Sequence, residues 1–177
     1  MTPLTPLMRA GLAILDGAQK IDSAKTSRKQ VPALHAELAR RGLIGPRNID
    51  IGGGAWDTAS EFLTSLGVEN RVFDPYNRTR EECIATLSAG PFDTATIANV
   101  LNVIGEEPRR LEVIELAAMA SRKAYFSVYK APRRGPTRDG WQEGRSLESY
   151  LPEILQSFCR AVVVGGFIEA SGARRSP

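Results

Sequence analysis

A carboxylate and three glycines stand together in the segment Asp50-Ile51-Gly52-Gly53-Gly54, directly after a short apolar pattern. Glycines at such a turn let a ligand approach the backbone closely, and the free N–H groups of a following helix suit a polar or anionic group. A carboxylate two residues before the first glycine suits a ligand that carries an amino group. A second carboxylate, Asp74, follows the next apolar pattern, where it would accept hydrogen bonds from both hydroxyls of a ribose.

The spacing of the glycines argues against a dinucleotide. The dinucleotide fingerprint needs a third glycine three residues after Gly54, and Asp57 occupies that position. A carboxylate there would repel a pyrophosphate. A zinc site is not expected either, because His35 is the only histidine and the two cysteines, Cys83 and Cys159, are not spaced as metal ligands.

The elements that must position these residues are strands that alternate with helices. The hydrophobic pattern predicts helices at residues 4–21, 31–43, 57–66, 79–88, 108–120 and 147–158, and strands at residues 47–51, 70–73, 93–100, 124–129, 161–164 and 167–170. The order predicts an α/β, Rossmann-like fold with a mainly parallel sheet and a C-terminal antiparallel hairpin. Ligands of such a sheet bind outside the C-terminal ends of its strands.

The ordered set of motifs resembles a known superfamily. Asp50-x-Gly52-x-Gly54 and Asp74 look like the first two binding motifs of class I S-adenosylmethionine-dependent methyltransferases, and residues 92–104 resemble their fourth-strand motif. The resemblance covers residues 31–170. Within that superfamily, the segments FDPYN and ANVLNVI resemble small bacterial and phage methyltransferase-like proteins, including those encoded beside DNA phosphorothioation systems.

The resemblance implies S-adenosylmethionine as the cofactor and a role for each matching residue. Asp50 and the backbone of Gly52, Gly53 and Gly54 would hold the methionine part. Asp74 would hold the ribose, and Pro75 and Tyr76 would lie near the adenine. Asn99 and Val100 would line the pocket beside the sulfonium.

The chain departs from the family pattern in two places. Only 18 residues separate Asp74 from Asp93, where the family has a helix, a third strand and a second helix. We therefore predict that the third strand is missing or vestigial, and that the N-terminal segment or a second subunit, as a homodimer, covers the exposed edge. At Asn99-Val100-Leu101-Asn102, the prolines and the aromatic residue of methyltransferases that act on DNA amino groups are absent.

The long segment between the predicted fifth strand and the next helix, residues 130–145, is a candidate substrate loop. It contributes Arg138, Trp141 and Gln142 as substrate-binding candidates together with Tyr129, and Lys130 and Asp139 as catalytic candidates beside Asn99. Its basic residues are compatible with a nucleic acid as partner and equally with a solvated loop.

Length and composition favour a single-domain protein. The chain of 177 residues, 42% hydrophobic and 24% charged, is predicted to comprise an N-terminal helical extension, residues 1–30, and a methyltransferase-like domain, residues 31–177. No signal peptide or membrane-spanning segment is expected, and two free thiols suit a cytoplasmic protein. The sequence thus predicts a methyltransferase of unidentified acceptor. The alternatives are a regulatory or inactive cofactor-binding module and a lyase or hydrolase that consumes the same cofactor.

Overall fold

The structure, a computed structural model, describes residues 4–17 and 28–174. Its α-helices are α1 (Pro6–Asp16), α2 (Ala33–Arg40), α3 (Thr58–Ser65), α4 (Arg80–Ser88), α5 (Glu107–Ala120) and α6 (Leu151–Ser157). Its strands are β1 (Arg47–Ile51), β2 (Glu69–Phe73), β3 (Phe92–Ala98), β4 (Ser121–Ser127), β5 (Gly135–Thr137), β6 (Gly140–Gln142), β7 (Phe158–Val164) and β8 (Phe167–Ala173). Short 3₁₀ turns cover Leu101–Val103 and Leu147–Tyr150.

Six strands form one sheet in the order β2-β1-β3-β4-β8-β7. Strands β1 to β4 are parallel, β8 is antiparallel to β4, and β7 pairs with β8 as an antiparallel hairpin. The predicted Rossmann-like class, with a mainly parallel sheet and a C-terminal antiparallel hairpin, is confirmed.

Helices cover both faces of this sheet. Helices α2 and α3 pack together on one face, where Leu34 and Leu38 meet Tyr125 and Phe167. Helices α1, α4, α5 and α6 pack on the opposite face, over the larger apolar core that includes Ile49, Ile51, Phe73 and Ile97. The parallel strands are covered on both faces. Because these strands run in the same direction, the C-terminal ends of β1 to β4 lie along one edge of the sheet.

The predicted loss of the third strand is confirmed. Between Phe73, the last residue of β2, and Phe92, the first of β3, the chain forms α4 alone. Thr79 begins this helix with a capping box in which Glu82 is the partner. Strand β2 is consequently an edge strand. Its exposed Glu69 and Arg71 form an ion pair, and charged side chains on an edge strand discourage pairing with a strand of another molecule.

The N-terminal helix takes a position that the sequence left open. Helix α1 packs on α4 and α5 over one face of the sheet, and Ile14 enters the large core. The helix does not pair with the β2 edge, so coverage of that edge by another part of the N-terminal segment or by a second subunit stays a prediction. The last residues of the predicted helix at 4–21 lie outside the described part, because α1 ends at Asp16 and residues 18–27 are not described.

The prediction that residues 130–145 form a loop is partly wrong. This segment contains a small antiparallel hairpin, β5 and β6, separate from the main sheet. Strands of three residues are too short to produce a recognisable alternation of apolar and polar side chains. Within the described ranges, no helix is both long enough and apolar enough to cross a bilayer.

Candidate functional site

A cavity of about 520 Å³ opens at the C-terminal ends of the parallel strands. This volume lies within the range of ligand pockets, roughly 300–1,000 Å³. The sequence-predicted residues on its wall are Gly52, Gly53, Gly54, Asp74, Pro75, Tyr76, Asn99, Val100, Tyr129 and Gln142. The sequence-predicted residues that do not line it are Asp50, Lys130, Arg138, Asp139 and Trp141.

The glycine turn after β1 leaves no room for side chains. Gly52 has φ +78°, and a Cβ at this position would lie 2.5 Å from Val100 Cγ2. A Cβ on Gly53 would lie 2.7 Å from Asp50 Oδ2. The three glycines therefore form a backbone cradle on the cavity wall, in which a side chain at Gly52 or Gly53 would collide with Val100 or Asp50.

Asp74 joins the glycine turn to the turn after β2. Its Oδ2 accepts a hydrogen bond from Gly54 N at 2.8 Å, and its Oδ1 accepts from Tyr76 N at 2.9 Å and Asn77 N at 3.0 Å. The carboxylate is 5% exposed and lies on the cavity wall. The residue predicted to hold a ribose thus also fixes the relative position of the two turns.

Asp50 lies beneath the glycine turn, on the face covered by α2. It is 1% exposed, its Oδ1 accepts from Thr96 Oγ1 at 3.2 Å, and its Oδ2 is 3.2 Å from His35 Nε2. His35 is fully buried, and its Nε2 is also 3.0 Å from Thr96 Oγ1. The geometry supports Asp50 as a residue that positions the turn from below.

Sequence reasoning missed this pairing, because it found no partner for His35. A signal was present in the strand pattern: polar Asn48 and Asp50 alternate along β1, and they pair in register with Thr94 and Thr96 of β3. Polar residues facing one another on a buried face must find partners. Here those partners include each other and the lone histidine.

The turn after β3 brings two asparagines to the cavity. Asn99 has φ +59°, a conformation that asparagine tolerates, and its N–H donates to Ser127 O at 2.8 Å. Asn102, in the following 3₁₀ turn, is 1% exposed and donates from Nδ2 to Gln142 Oε1 at 3.1 Å. Asn102 was not among the predicted site residues, because its contact with Gln142 joins residues 40 positions apart in the sequence.

The hairpin β5–β6 brings only part of the predicted substrate loop to the site. Gln142 lines the cavity, whereas the side chain of Arg138 is 94% exposed and paired with Asp139 at the hairpin tip. Trp141 packs against Gly105 and donates from Nε1 to Glu143 Oε1 at 2.8 Å. Tyr129, just after β4, also lines the cavity.

Buried charges fix this hairpin to α5 and α6. Arg110 makes a bidentate pair with Glu153, at 2.9 and 3.0 Å, and its Nη1 is 3.7 Å from Glu143 Oε1. Arg145 also donates to Glu153 and lies over the ring of Tyr150. Burial raises the pKa of Glu153, but the hydrogen bonds from the two arginines outweigh it, so the pKa is held below its ordinary value.

Part of the cavity wall is apolar and includes a residue of α1. Ile14 of α1 lines it together with Phe73, Ile104 and Val113. The cavity is also lined by Arg28, Gln30, Pro32 and Ala33. The adjacent Lys29 Nζ lies 5.3 Å from the ring centroid of Trp56, another lining residue. Among the described residues, no group of three or more His, Cys, Asp or Glu side chains is placed to hold a metal ion.

Among known proteins, this chain is similar to solved structures and not to any family model or curated sequence. A solved structure described as "Conversion of a Disulfide Bond into a Thioacetal Group during Echinomycin Biosynthesis" is similar, with a TM-score of 0.57 and 11% identity over 96% of this chain and 91% of that chain.

Two further solved structures are more distant. An O-methyltransferase family protein from Burkholderia thailandensis has a TM-score of 0.44 and 14% identity, covering 96% of this chain and 57% of that chain. The N-terminal domain of EvdMO1 in the presence of SAH and D-fucose has a TM-score of 0.38 and 13% identity, covering 95% and 96%. Of these three, the first alone exceeds a TM-score of 0.5, and at 11% identity it establishes a shared fold.

Proposed function

We propose that this protein is an S-adenosylmethionine-dependent methyltransferase. The observation that carries the proposal is the bond from Gly54 N to Asp74 Oδ2, which joins a glycine cradle and a ribose-type carboxylate at one end of a ligand-sized cavity. Gly52 and Gly53 line the cavity without side chains, which suits a ligand that lies directly against the backbone. The Rossmann-like fold and the motif resemblance support the same cofactor.

The residues on the wall suggest how each part of the cofactor is held. The methionine part would lie against the backbone of Gly52 to Gly54, with Asp50 and His35 fixing the turn from below. The ribose would meet Asp74. The adenine would lie near Pro75 and Tyr76, against the apolar part of the wall that includes Ile14.

The cofactor, when bound, supplies an activated methyl group. The protein then has to align an acceptor with that methyl group and exclude water, rather than provide the reactivity itself. Asn99, Tyr129 and Gln142 line the cavity beyond the glycine turn and are the residues we propose for acceptor contact. Lys130 and Asp139, off the wall in this structure, are weaker candidates for proton transfer.

Titration calorimetry with S-adenosylmethionine and S-adenosylhomocysteine tests cofactor binding. We expect heat of binding with both ligands, because both carry the amino acid, ribose and adenine parts. Absence of binding up to millimolar ligand contradicts the proposal.

Labelled S-adenosylmethionine then separates the kinds of activity. Transfer of the methyl label to a nucleic acid, protein or small molecule supports a methyltransferase, and nucleic acids belong in the panel because of the resemblance to proteins encoded beside phosphorothioation systems. Breakdown without an acceptor would indicate a lyase or hydrolase. Binding without transfer or breakdown would indicate a regulatory module. Binding of nucleic acid should weaken as salt rises if the basic hairpin contacts phosphates.

A further inference from the structure

The amide side chains of Asn102 and Gln142 form a pair on the cavity wall, on the side of the turn after β3. The strand order β2-β1-β3-β4 puts the turns after β1 and β2 on one side. The turn after β3, which carries Asn102, lies on the other side, as does Tyr129 after β4. Both members of the pair line the cavity, and Gln142 comes from the separate hairpin.

This pair leaves hydrogen-bonding capacity unused. Asn102 donates from Nδ2 to Gln142 Oε1, and Asn102 Oδ1 is buried with no hydrogen-bond partner among the described residues. The residue is 1% exposed, so an unmatched oxygen here is costly and calls for a donor. Gln142 uses its Oε1 in the pair, which leaves its Nε2 as a donor.

The unused capacity has the same character whichever way the two amides are turned. In the observed orientation, Asn102 presents an acceptor and Gln142 presents a donor. If both amides are flipped, Gln142 donates to Asn102, and Asn102 then presents the donor while Gln142 presents the acceptor. Either arrangement offers one donor beside one acceptor.

The pair is held in place from behind. Asn102 O accepts a hydrogen bond from Glu143 N at 2.7 Å, so the residue after Gln142 is tied directly to the turn that carries Asn102. Glu143 is itself buried, beside Arg110 and Trp141. The two amides are therefore pre-positioned, which reduces the cost of ordering them around a ligand.

We propose that Asn102 and Gln142 recognise a neutral group that presents one N–H donor beside one acceptor, as a lactam, a carboxamide or the edge of a nitrogen heterocycle does. Such an edge satisfies both unused amide groups at once. A carboxylate or phosphate offers two acceptors, and an amidinium offers two donors, so each leaves one partner unmatched. The inference rests on the proposed function only in assigning this group to the methyl acceptor.

The test uses three small probes of similar size on the full chain. 2-Pyridone carries a donor beside an acceptor, benzoate carries two acceptors, and benzamidine carries two donors. We expect 2-pyridone to shift the side-chain amide signals of Asn102 and Gln142 in nitrogen-correlated NMR spectra, with an affinity at least tenfold above that of the other two.

The substitution Gln142→Glu should reverse the preference. A glutamate can only accept from Asn102 Nδ2, which leaves two acceptors facing the ligand. Affinity for 2-pyridone should fall at least tenfold, and affinity for benzamidine should rise at least tenfold. The matched control is Gln30→Glu, which adds the same charge to the same cavity outside the pair and should leave the pyridone preference unchanged.

Equal binding of the three probes, or no shift of either amide with any of them, would overturn the proposal. So would a gain of benzamidine binding in Gln30→Glu equal to that in Gln142→Glu. The titrations are run with and without S-adenosylhomocysteine, whose own binding is followed separately by calorimetry. A failure of the amide pair is thereby distinguished from a failure of the cofactor assignment.

Discussion

The glycine turn shows at the scale of single residues why residue type matters more than hydrophobicity at this site. Gly52 needs a positive φ and also has Val100 Cγ2 within 2.5 Å of where a Cβ would be. Gly67 has nearly the same φ, +80°, but nothing lies within 4 Å of its own missing Cβ. The two positions therefore separate backbone strain from steric exclusion.

We expect Gly52→Ala to abolish or strongly weaken S-adenosylhomocysteine binding, because the new methyl group forces the turn and Val100 apart. Gly67→Ala is the matched control. Each substitution should cost about 1–2 kcal/mol of folding free energy from the left-handed backbone, but Gly67→Ala should keep the wild-type affinity. Calorimetry and urea unfolding measure the two effects. Equal affinities of both variants would argue against the turn as the cofactor cradle.

Helix α1 illustrates, at the scale of elements, how the N-terminal segment contributes to the cavity wall. Between β2 and β3 the chain forms α4 alone, and Ile14 of α1 contributes to the apolar part of the cavity wall. The neighbouring Ala13 is exposed on the same helix. Substituting phenylalanine at Ile14 or at Ala13 therefore places the same side chain either in the cavity or on the exposed side of the helix.

Ile14→Phe should lower S-adenosylhomocysteine affinity at least tenfold, equivalent to about 1.4 kcal/mol, because the larger ring occupies space proposed for the adenine. Overpacking would also cost about 1–3 kcal/mol of stability, so the melting temperature is recorded with each titration. Ala13→Phe should bind as the wild type does. An Ile14→Phe protein that folds and binds normally would show that the adenine lies elsewhere.

The buried charges between α5, α6 and the hairpin make a second prediction at this scale. Glu153→Gln removes one charge from a buried, hydrogen-bonded group and should cost about 3 kcal/mol of folding free energy. Glu37→Gln, at a surface cluster with Arg40 and Arg41, should change stability little. Chemical denaturation at neutral pH measures both.

The pH dependence gives this prediction a sign. Because the pKa of Glu153 is lowered in the folded protein, its contribution is present above the ordinary value of 4.5 and is lost as the pH falls through the folded value. The stability difference between the wild type and Glu153→Gln should therefore shrink below about pH 4.5. A difference that stays constant from pH 7 to pH 3 would contradict the assigned ion pairs.

Ligand binding and folding are coupled at the scale of the whole molecule. The proposed cofactor contacts the turns after β1, β2 and β3 together with α1. It should therefore bind the folded state and not the unfolded state. S-adenosylhomocysteine at a hundred times its dissociation constant should add about 2.7 kcal/mol. For a chain of this size, that corresponds to a rise in melting temperature of roughly 5–11 °C.

NAD⁺ serves as the control in the same thermal scan. The third glycine of the dinucleotide fingerprint is replaced by Asp57, which here pairs with Arg78 at 2.7 Å. NAD⁺ should leave the melting temperature unchanged. A shift with NAD⁺ equal to that with S-adenosylhomocysteine would point to a general nucleotide site.

Local signals in the sequence determined the class of fold and located several residues of the cavity wall. Alternating strand and helix patterns predicted the parallel sheet and the final hairpin, and the short distance from Asp74 to Asp93, compared with the family that the motifs resemble, predicted the missing strand. Glycines and carboxylates at strand ends could be located because parallel strands end at a common edge, so residues that follow them converge without detailed knowledge of packing. Asp74 and the glycine turn were found in this way.

Only the tertiary structure decided which distant side chains meet. His35 and Asp50 are 15 residues apart on different elements, and Asn102 reaches Gln142 across 40 residues through a hairpin too short to be predicted. The position of Ile14 likewise depends on how α1 packs on α4 and α5. Such contacts depend on side-chain packing between elements, which periodicity and spacing along the chain do not encode.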